Sequence, residues 1–164
     1  MRSTLRQHDI TLVHATLNSP DSWGYIFDIS HAEDHFAYQF TKLCFCGHSH
    51  VPAAFIRKIT PDGKHTVTEI PNWARKTGEG IVPNRIQEAD ELSVKLEPAC
   101  RYLFNIGSVG QPRNRDPRSS FAVLDTEKQL VTRYRIPYPI QIAQEKIRKA
   151  GLPERLAARL ELGN

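Results

Sequence analysis

Leu43-Cys44-Phe45-Cys46-Gly47-His48-Ser49-His50-Val51-Pro52 is the stretch that decides the reading of this chain. A short apolar run, the signature of a buried strand, ends at a glycine and hands two histidines to a loop that closes at a proline. Two residues apart in extended backbone, the imidazoles point the same way with roots about 6–7 Å apart, since a strand rises roughly 3.3 Å per residue. That spacing suits two neighbouring metal ions better than one, because paired metals about 3.5–4 Å apart clamp the two oxygens of an in-line displacement.

A second segment strengthens the reading. Gly47-His48-Ser49-His50-Val51-Pro52, together with Asn105-Ile106-Gly107-Ser108-Val109-Gly110-Gln111-Pro112-Arg113 and Asp116-Pro117-Arg118, resembles the calcineurin-like metallophosphoesterases, specifically their small bacterial and archaeal branch. Leu12-Val13-His14 is similar to the family's isolated ligand histidine at a strand end, with Ala15 where the family usually has glycine. The tail Lys149-Ala150-Gly151-Leu152-Pro153-Glu154-Arg155-Leu156-Ala157 also resembles the end of those proteins.

The resemblance covers nearly the whole chain, but as the family's second half. The Asp-x-His, Gly-Asp and Gly-Asn-His motifs of the first half do not occur before His14. By resemblance His14 and His48 correspond to ligands of one metal and His50 to a ligand of the other, while no carboxylate here matches a family ligand. Residues 1–164 therefore read as a single partial, truncated domain. The implied fold is α+β, the C-terminal half of a two-sheet β-sandwich flanked by helices. Partner strands for residues 10–13 and 43–45 are then expected to be missing. An open sheet edge and an uncovered apolar face would follow, and with them a homo-oligomer or poor solubility.

Composition excludes the exotic classes. The 164 residues, 40% apolar and 24% charged, are ordinary globular values. No apolar run approaches the roughly 20 residues of a membrane-spanning helix, and no secretory signal is visible at the polar N-terminus. Cys44, Cys46 and Cys100 form no paired framework, so free thiols and a cytoplasmic location are expected.

The net charge of +4 is spread along the chain. Its one dense basic segment is the loop bearing Arg113, Arg115 and Arg118. Arginines there can fork onto phosphate oxygens, which makes Arg113 and Arg118 candidate substrate contacts, and the alternative is a solvated loop with an internal Arg to Asp pair. With no aromatic platform among the basic residues, nucleic-acid binding is not expected. Gly47, Asn105, Gly107, Ser108 and Gly110 are expected to shape a tight loop, the glycines through positive φ and close backbone approach.

The remaining pattern predicts a strand at 10–13, a loop at 18–25, and a helix at 30–40 with Ser30 as N-cap, Glu33 as its capping-box partner and Ala32, Phe36 and Phe40 as its buried stripe. Strands follow at 43–45, 53–59 and 66–70, with a hairpin turn at 61–64. Residues 71–91 read as a mobile insertion in which Trp73 still packs. Strands at 93–96, 102–105, 122–125 and 131–136 read as an antiparallel run, then a helix at 139–150 closes on Gly151 and another opens at Pro153. His31 and His35, four apart with Asp34 between them, have zinc-like helical spacing, but the apolar stripe assigns the neighbouring face to the core. His8 and His65 read as surface residues.

The resemblance implies hydrolysis of phosphomonoesters or phosphodiesters at a dinuclear Mn, Fe or Zn centre, on a phosphorylated small molecule, nucleotide or phosphoprotein. With the bridging carboxylate and proton donor absent, weak metal binding and little turnover are expected of this chain alone, a missing N-terminal half being the natural partner. The alternative is a non-catalytic remnant or binding module.

Overall fold

The computed structural model describes residues 2–73 and 89–164. Among these residues nine strands and three α-helices follow one another: β1 (Arg2–Leu5), β2 (Ile10–Val13), α1 (Ile29–Ala37), β3 (Leu43–Cys46), β4 (Ala53–Ile59), β5 (His65–Glu69), β6 (Asp90–Lys95), β7 (Arg101–Asn105), β8 (Ser119–Asp125), β9 (Leu130–Ile136), α2 (Ile140–Lys149) and α3 (Glu154–Leu162). Six strands form one sheet in the order β1-β2-β3-β7-β4-β5, and the other three a second sheet in the order β6-β9-β8. The α+β two-sheet architecture read from the sequence is the one observed.

Period-two alternation explains how the first sheet is covered on both faces. Leu43, Ala54, Ile56, Tyr102 and Phe104 point toward the second sheet and pack with Val131, Leu96 and the partly buried Leu92, Val94 and Leu124. Their strand neighbours Cys44, Cys46, Ala53, Phe55 and Leu103 point the other way, onto Ala32 and Phe36 of α1 and onto Val13, Leu17 and Ile26. Strands buried on both faces read as continuous apolar runs, which is why β3 and β4 were legible.

Several expectations are corrected. The strands at 10–13 and 43–46 are not left without partners: β2 pairs β1 and β3, and β3 pairs β2 and β7. Strand β1 supplies the edge, with every residue exposed. Helix α1 starts after Asp28, whose carboxylate accepts the His31 amide at 3.0 Å, so Asp28 rather than Ser30 is the N-cap. The helix ends at Ala37, which leaves Phe40 beyond it and 77% exposed. Strand β7 does not continue an antiparallel run; it lies parallel to β3 in the middle of the six-stranded sheet. The proposed insertion at 71–91 falls largely on residues 74–88, outside the described residues. At its borders Trp73 is buried against Phe104 and β6 begins at Asp90.

His31 and His35 do not converge. His31 is exposed and bonded to Asp28 at 2.8 Å, whereas His35 is buried, accepting the Leu17 amide on Nδ1 and contacting Cys44 Sγ through Nε2. Burial pushes the His35 pKa down to about 4 and the Cys44 thiol up to about 12, so this pair is a neutral core contact. Cys44, Cys46 and Cys100 are buried free thiols. Among the described residues no helix is long and apolar enough to cross a membrane.

Candidate functional site

The site forms where three parallel strands end together. Leu12 pairs with Phe45 in the β2–β3 register, and Cys46 with Asn105 in the β3–β7 register. Two steps beyond, His14 lies beside Gly47, and the Gly47 amide donates to the His14 carbonyl at 3.1 Å. The carboxyl ends of parallel strands are where open α/β sheets place their ligands, because the chain there turns into loops free of sheet pairing. The His14 and His48 rings consequently meet edge-on, 5.2 Å between centroids and 62° between planes.

The backbone at the two loop histidines is not extended. His48 has φ +64° and His50 φ +60°, both left-handed, a region uncommon for residues with a side chain. A three-residue turn closes around His48, with the Ser49 amide donating to the Gly47 carbonyl at 2.8 Å. Such strain costs of order 1–3 kcal/mol per residue and persists only where the surroundings over-determine it.

Asn105 is the main determinant. Buried at the end of β7, it donates from Nδ2 to the Gly47 carbonyl and to Ser49 Oγ, each at 2.8 Å, and accepts the Gly107 amide on Oδ1 at 3.1 Å. Its own carbonyl accepts Trp73 Nε1 at 3.0 Å. Ser49 Oγ also accepts the Val51 amide at 3.1 Å.

The following loop fixes the third imidazole. Ser108 Oγ accepts the amides of Gly110 and Gln111 at 3.3 and 2.9 Å, which curls the chain so that the Gln111 carbonyl faces His50. His50 Nδ1 lies 2.7 Å from that carbonyl. A carbonyl only accepts, so Nδ1 carries the proton and Nε2 keeps its lone pair, the state of a metal-ligating histidine. The Arg113 amide donates to the His50 carbonyl at 3.2 Å, and the Gln111 side chain accepts from the Arg113 guanidinium at 3.0 Å. Partial burial lowers the His50 pKa from the usual histidine range; the Gln111 contact opposes this, and the nearby Arg113, His48 and His14 reinforce it.

Of the loop glycines only Gly107 needs to be one. It has φ +85°, and a Cβ there would sit 2.9 Å from Pro52 Cγ. Gly47 and Gly110 have no positive φ and room for a methyl group, so the expectation of left-handed, closely approached glycines holds at Gly107 and is corrected at these two, and His48 and His50 are left-handed as well.

The two arginines separate. Arg113 is exposed beside His50. Arg118 is buried, with its guanidinium on Asp116 at 2.7 Å and on Asp90 at 2.9 Å, while Arg135 reaches the same Asp116 carboxylate. Burial raises the Asp116 pKa, but hydrogen bonds from Arg118 and the charges of Arg135 and Arg118 outweigh it and hold the carboxyl below its ordinary value. Arg118 thus ties the loop to β6 through Asp90, and Asp116 ties it to β9 through Arg135, so Arg118 does not present a free guanidinium. The end of α3 docks on the same loop, with the Arg115 amide donating to the Gly163 carbonyl at 2.9 Å.

Sequence reasoning missed the aromatic neighbours of the imidazoles. Trp23 meets the His14 ring at 5.2 Å and the His48 ring at 5.5 Å, and Tyr25 stacks on His48 at 4.5 Å. The alternation Trp23-x-Tyr25-x-Phe27 was the available signal. Gln111 and Ser49 lay inside the quoted motifs, but their roles depend on partners remote in sequence.

Among the described residues no three His, Cys, Asp or Glu side chains gather closely enough to hold a metal ion. His14, His48 and His50 are the imidazoles at this end of the sheet.

No family model matches the chain. It is 30% identical over 163 residues to the uncharacterized protein MJ0912 of Methanocaldococcus jannaschii, a match over 99% of this chain and 55% of that protein. A metallophosphoesterase from Sphaerobacter thermophilus superposes with a TM-score of 0.70 at 34% identity, over 95% of this chain and 55% of the other. The hypothetical protein PH1004 from Pyrococcus horikoshii OT3, at 17% identity and a TM-score of 0.59, shares the fold over all of this chain and 50% of its own. The chain spans about half the length of the relatives it matches.

Proposed function

From a chain that carries the C-terminal half of a calcineurin-like metallophosphoesterase fold, we propose that it supplies the imidazole ligands of a metal-dependent phosphoesterase centre, hydrolysing phosphomonoesters or phosphodiesters. The supporting observation is that the His14 and His48 rings meet at adjacent strand ends, with His50 two residues further along the same loop and its Nδ1 committed to a carbonyl. Imidazoles bring no negative charge to a pair of divalent ions, so this reading takes the carboxylates and the proton donor to be supplied by a partner segment. Within this chain Asn105 and Ser108 hold the histidine loops, and Arg113, exposed beside His50, is the phosphate contact. The three buried free thiols fit a reducing, cytoplasmic setting.

The test is metal content by elemental analysis, together with Mn²⁺-supported hydrolysis of p-nitrophenyl phosphate and its bis ester, for the chain and for a His48→Ala, His50→Ala variant. The chain alone is expected to hold metal weakly and turn over little. Metal binding should be lost in the variant, and activity should rise when the carboxylate-bearing half of a relative is added. Metal binding indifferent to the double substitution would overturn the assignment. A second reading, a non-catalytic module retaining this half of the fold, is favoured by the donor count, since no three-donor cluster occurs among the described residues. It requires that the added half restore no hydrolysis.

A further inference from the structure

Trp23, Tyr25 and Phe27 are 53%, 43% and 56% exposed, yet they are held in place. Trp23 is fixed at φ +55° after the helical turn Pro20–Ser22. Gly24 lies so close to Thr16 that a Cβ would stand 3.2 Å from its Cγ2. Ile26 is buried in the core beneath α1, while its neighbours Tyr25 and Phe27 are exposed and stack on each other. The result is a continuous stack: His48 to Tyr25 at 4.5 Å and 24°, then Tyr25 to Phe27 at 5.3 Å and 10°.

We propose that these three rings are a stacking platform for the nucleobase of a nucleoside phosphate ester, its phosphate directed to the imidazole end. This rests on the phosphoesterase reading above and narrows it to a substrate class. The near-parallel planes of Tyr25 and Phe27 favour a flat π-system over an aliphatic or peptide surface, which any apolar side chains would serve, while Trp23, tilted 53° from His48, flanks the imidazole end. Charge agrees: Asp28, the acid next to Phe27, is engaged by His31, while the groups at the other end of the stack are His14, His48 and the Arg113 that flanks His50.

The experiment is an NMR titration of the metal-free 164-residue chain with adenosine monophosphate, ribose 5-phosphate and inorganic phosphate. Adenosine monophosphate is expected to bind roughly 5- to 150-fold more tightly than ribose 5-phosphate, the range that stacking of one base gives, with ring-current shifts of the adenine protons. Tyr25→Leu and Phe27→Leu should lower its affinity toward that of the sugar phosphate, and Tyr25→Phe should keep it. Equal affinities, a preference indifferent to both leucine variants, or self-association by light scattering that those variants dissolve would each overturn the platform. A chain that hydrolyses nothing with its partner half yet retains the ring-dependent preference would remove the enzyme reading and leave the platform. Hydrolysis with no ring-dependent preference would do the reverse.

Discussion

His50 Nδ1 stands 2.7 Å from the main-chain oxygen of Gln111, a contact across 61 residues that settles which ring nitrogen bears the proton. Nitrogen-15 NMR of the imidazoles should find His50 as the Nδ1–H tautomer, neutral at pH 7. A protonated Nε2 with a bare Nδ1 would contradict the geometry and remove His50 as an Nε2 ligand.

Asn105 uses both amide hydrogens and its carbonyl oxygen on the loops that carry the histidines. Asn105→Ala removes the acceptor of the buried Gly107 amide and one bond each from the Gly47 carbonyl and Ser49 Oγ, which keep the Ser49 and Val51 amides as partners. It should cost about 2–4 kcal/mol in denaturant unfolding, from about 1–3 kcal/mol for the unsatisfied amide and about 0.5–1.5 kcal/mol for each lost bond, with partial relaxation. Hydrogen exchange of the Ser49 amide should accelerate. A loss under 1 kcal/mol would mean that the His48 turn is held by other contacts.

Gly107 and Gly110 should respond oppositely to a methyl group. Gly107→Ala meets both the left-handed φ and Pro52, and is expected to destabilise by roughly 1–3 kcal/mol. Gly110→Ala enters open space and should be neutral or stabilising by up to about 1 kcal/mol. Thermal melts of the two variants check the contrast.

Burial of His35 gives the fold a pH dependence. Its folded pKa is lowered from 6.5 to about 4, so the unfolded chain binds the proton more readily. The stability is fully present above pH 6.5 and declines as pH falls toward 4, by roughly 3 kcal/mol in all. Urea unfolding across that interval should show the decline, and His35→Gln should flatten it.

Legibility followed the range of the forces involved. The strand at 53–59 and the turn at 61–64 were readable because a continuous apolar run and a Pro-Asp-Gly turn are written locally. Strand β1 carries no such pattern, since an exposed edge strand is specified by its pairing with β2 alone. At the start of α1 the sequence reading placed the cap at Ser30, and Asp28 takes that role because its carboxylate reaches the His31 amide. The position of β7 between β3 and β4 is a long-range pairing that no local window encodes. At the site, the motif picked out His48 and His50, but their left-handed backbone depends on Asn105, more than 50 residues away. Arg118 read as a surface cation beside Asp116 and Pro117, and its burial depends on Asp90 and on the strand that brings Arg135.

Trp73 and Trp23 are the chain's two tryptophans, and they occupy opposite surroundings: one sealed in the core with its indole N–H on the Asn105 carbonyl, the other half in water against His14 and His48. The protein thus carries two optical reporters with separable colours and quencher access. The blue-shifted, shielded emission follows the integrity of the sheet end that supports the histidine loops, and the red-shifted, quenchable emission follows whatever arrives at the imidazoles. Occupancy of the site and unfolding of its support can therefore be told apart in one unlabelled sample.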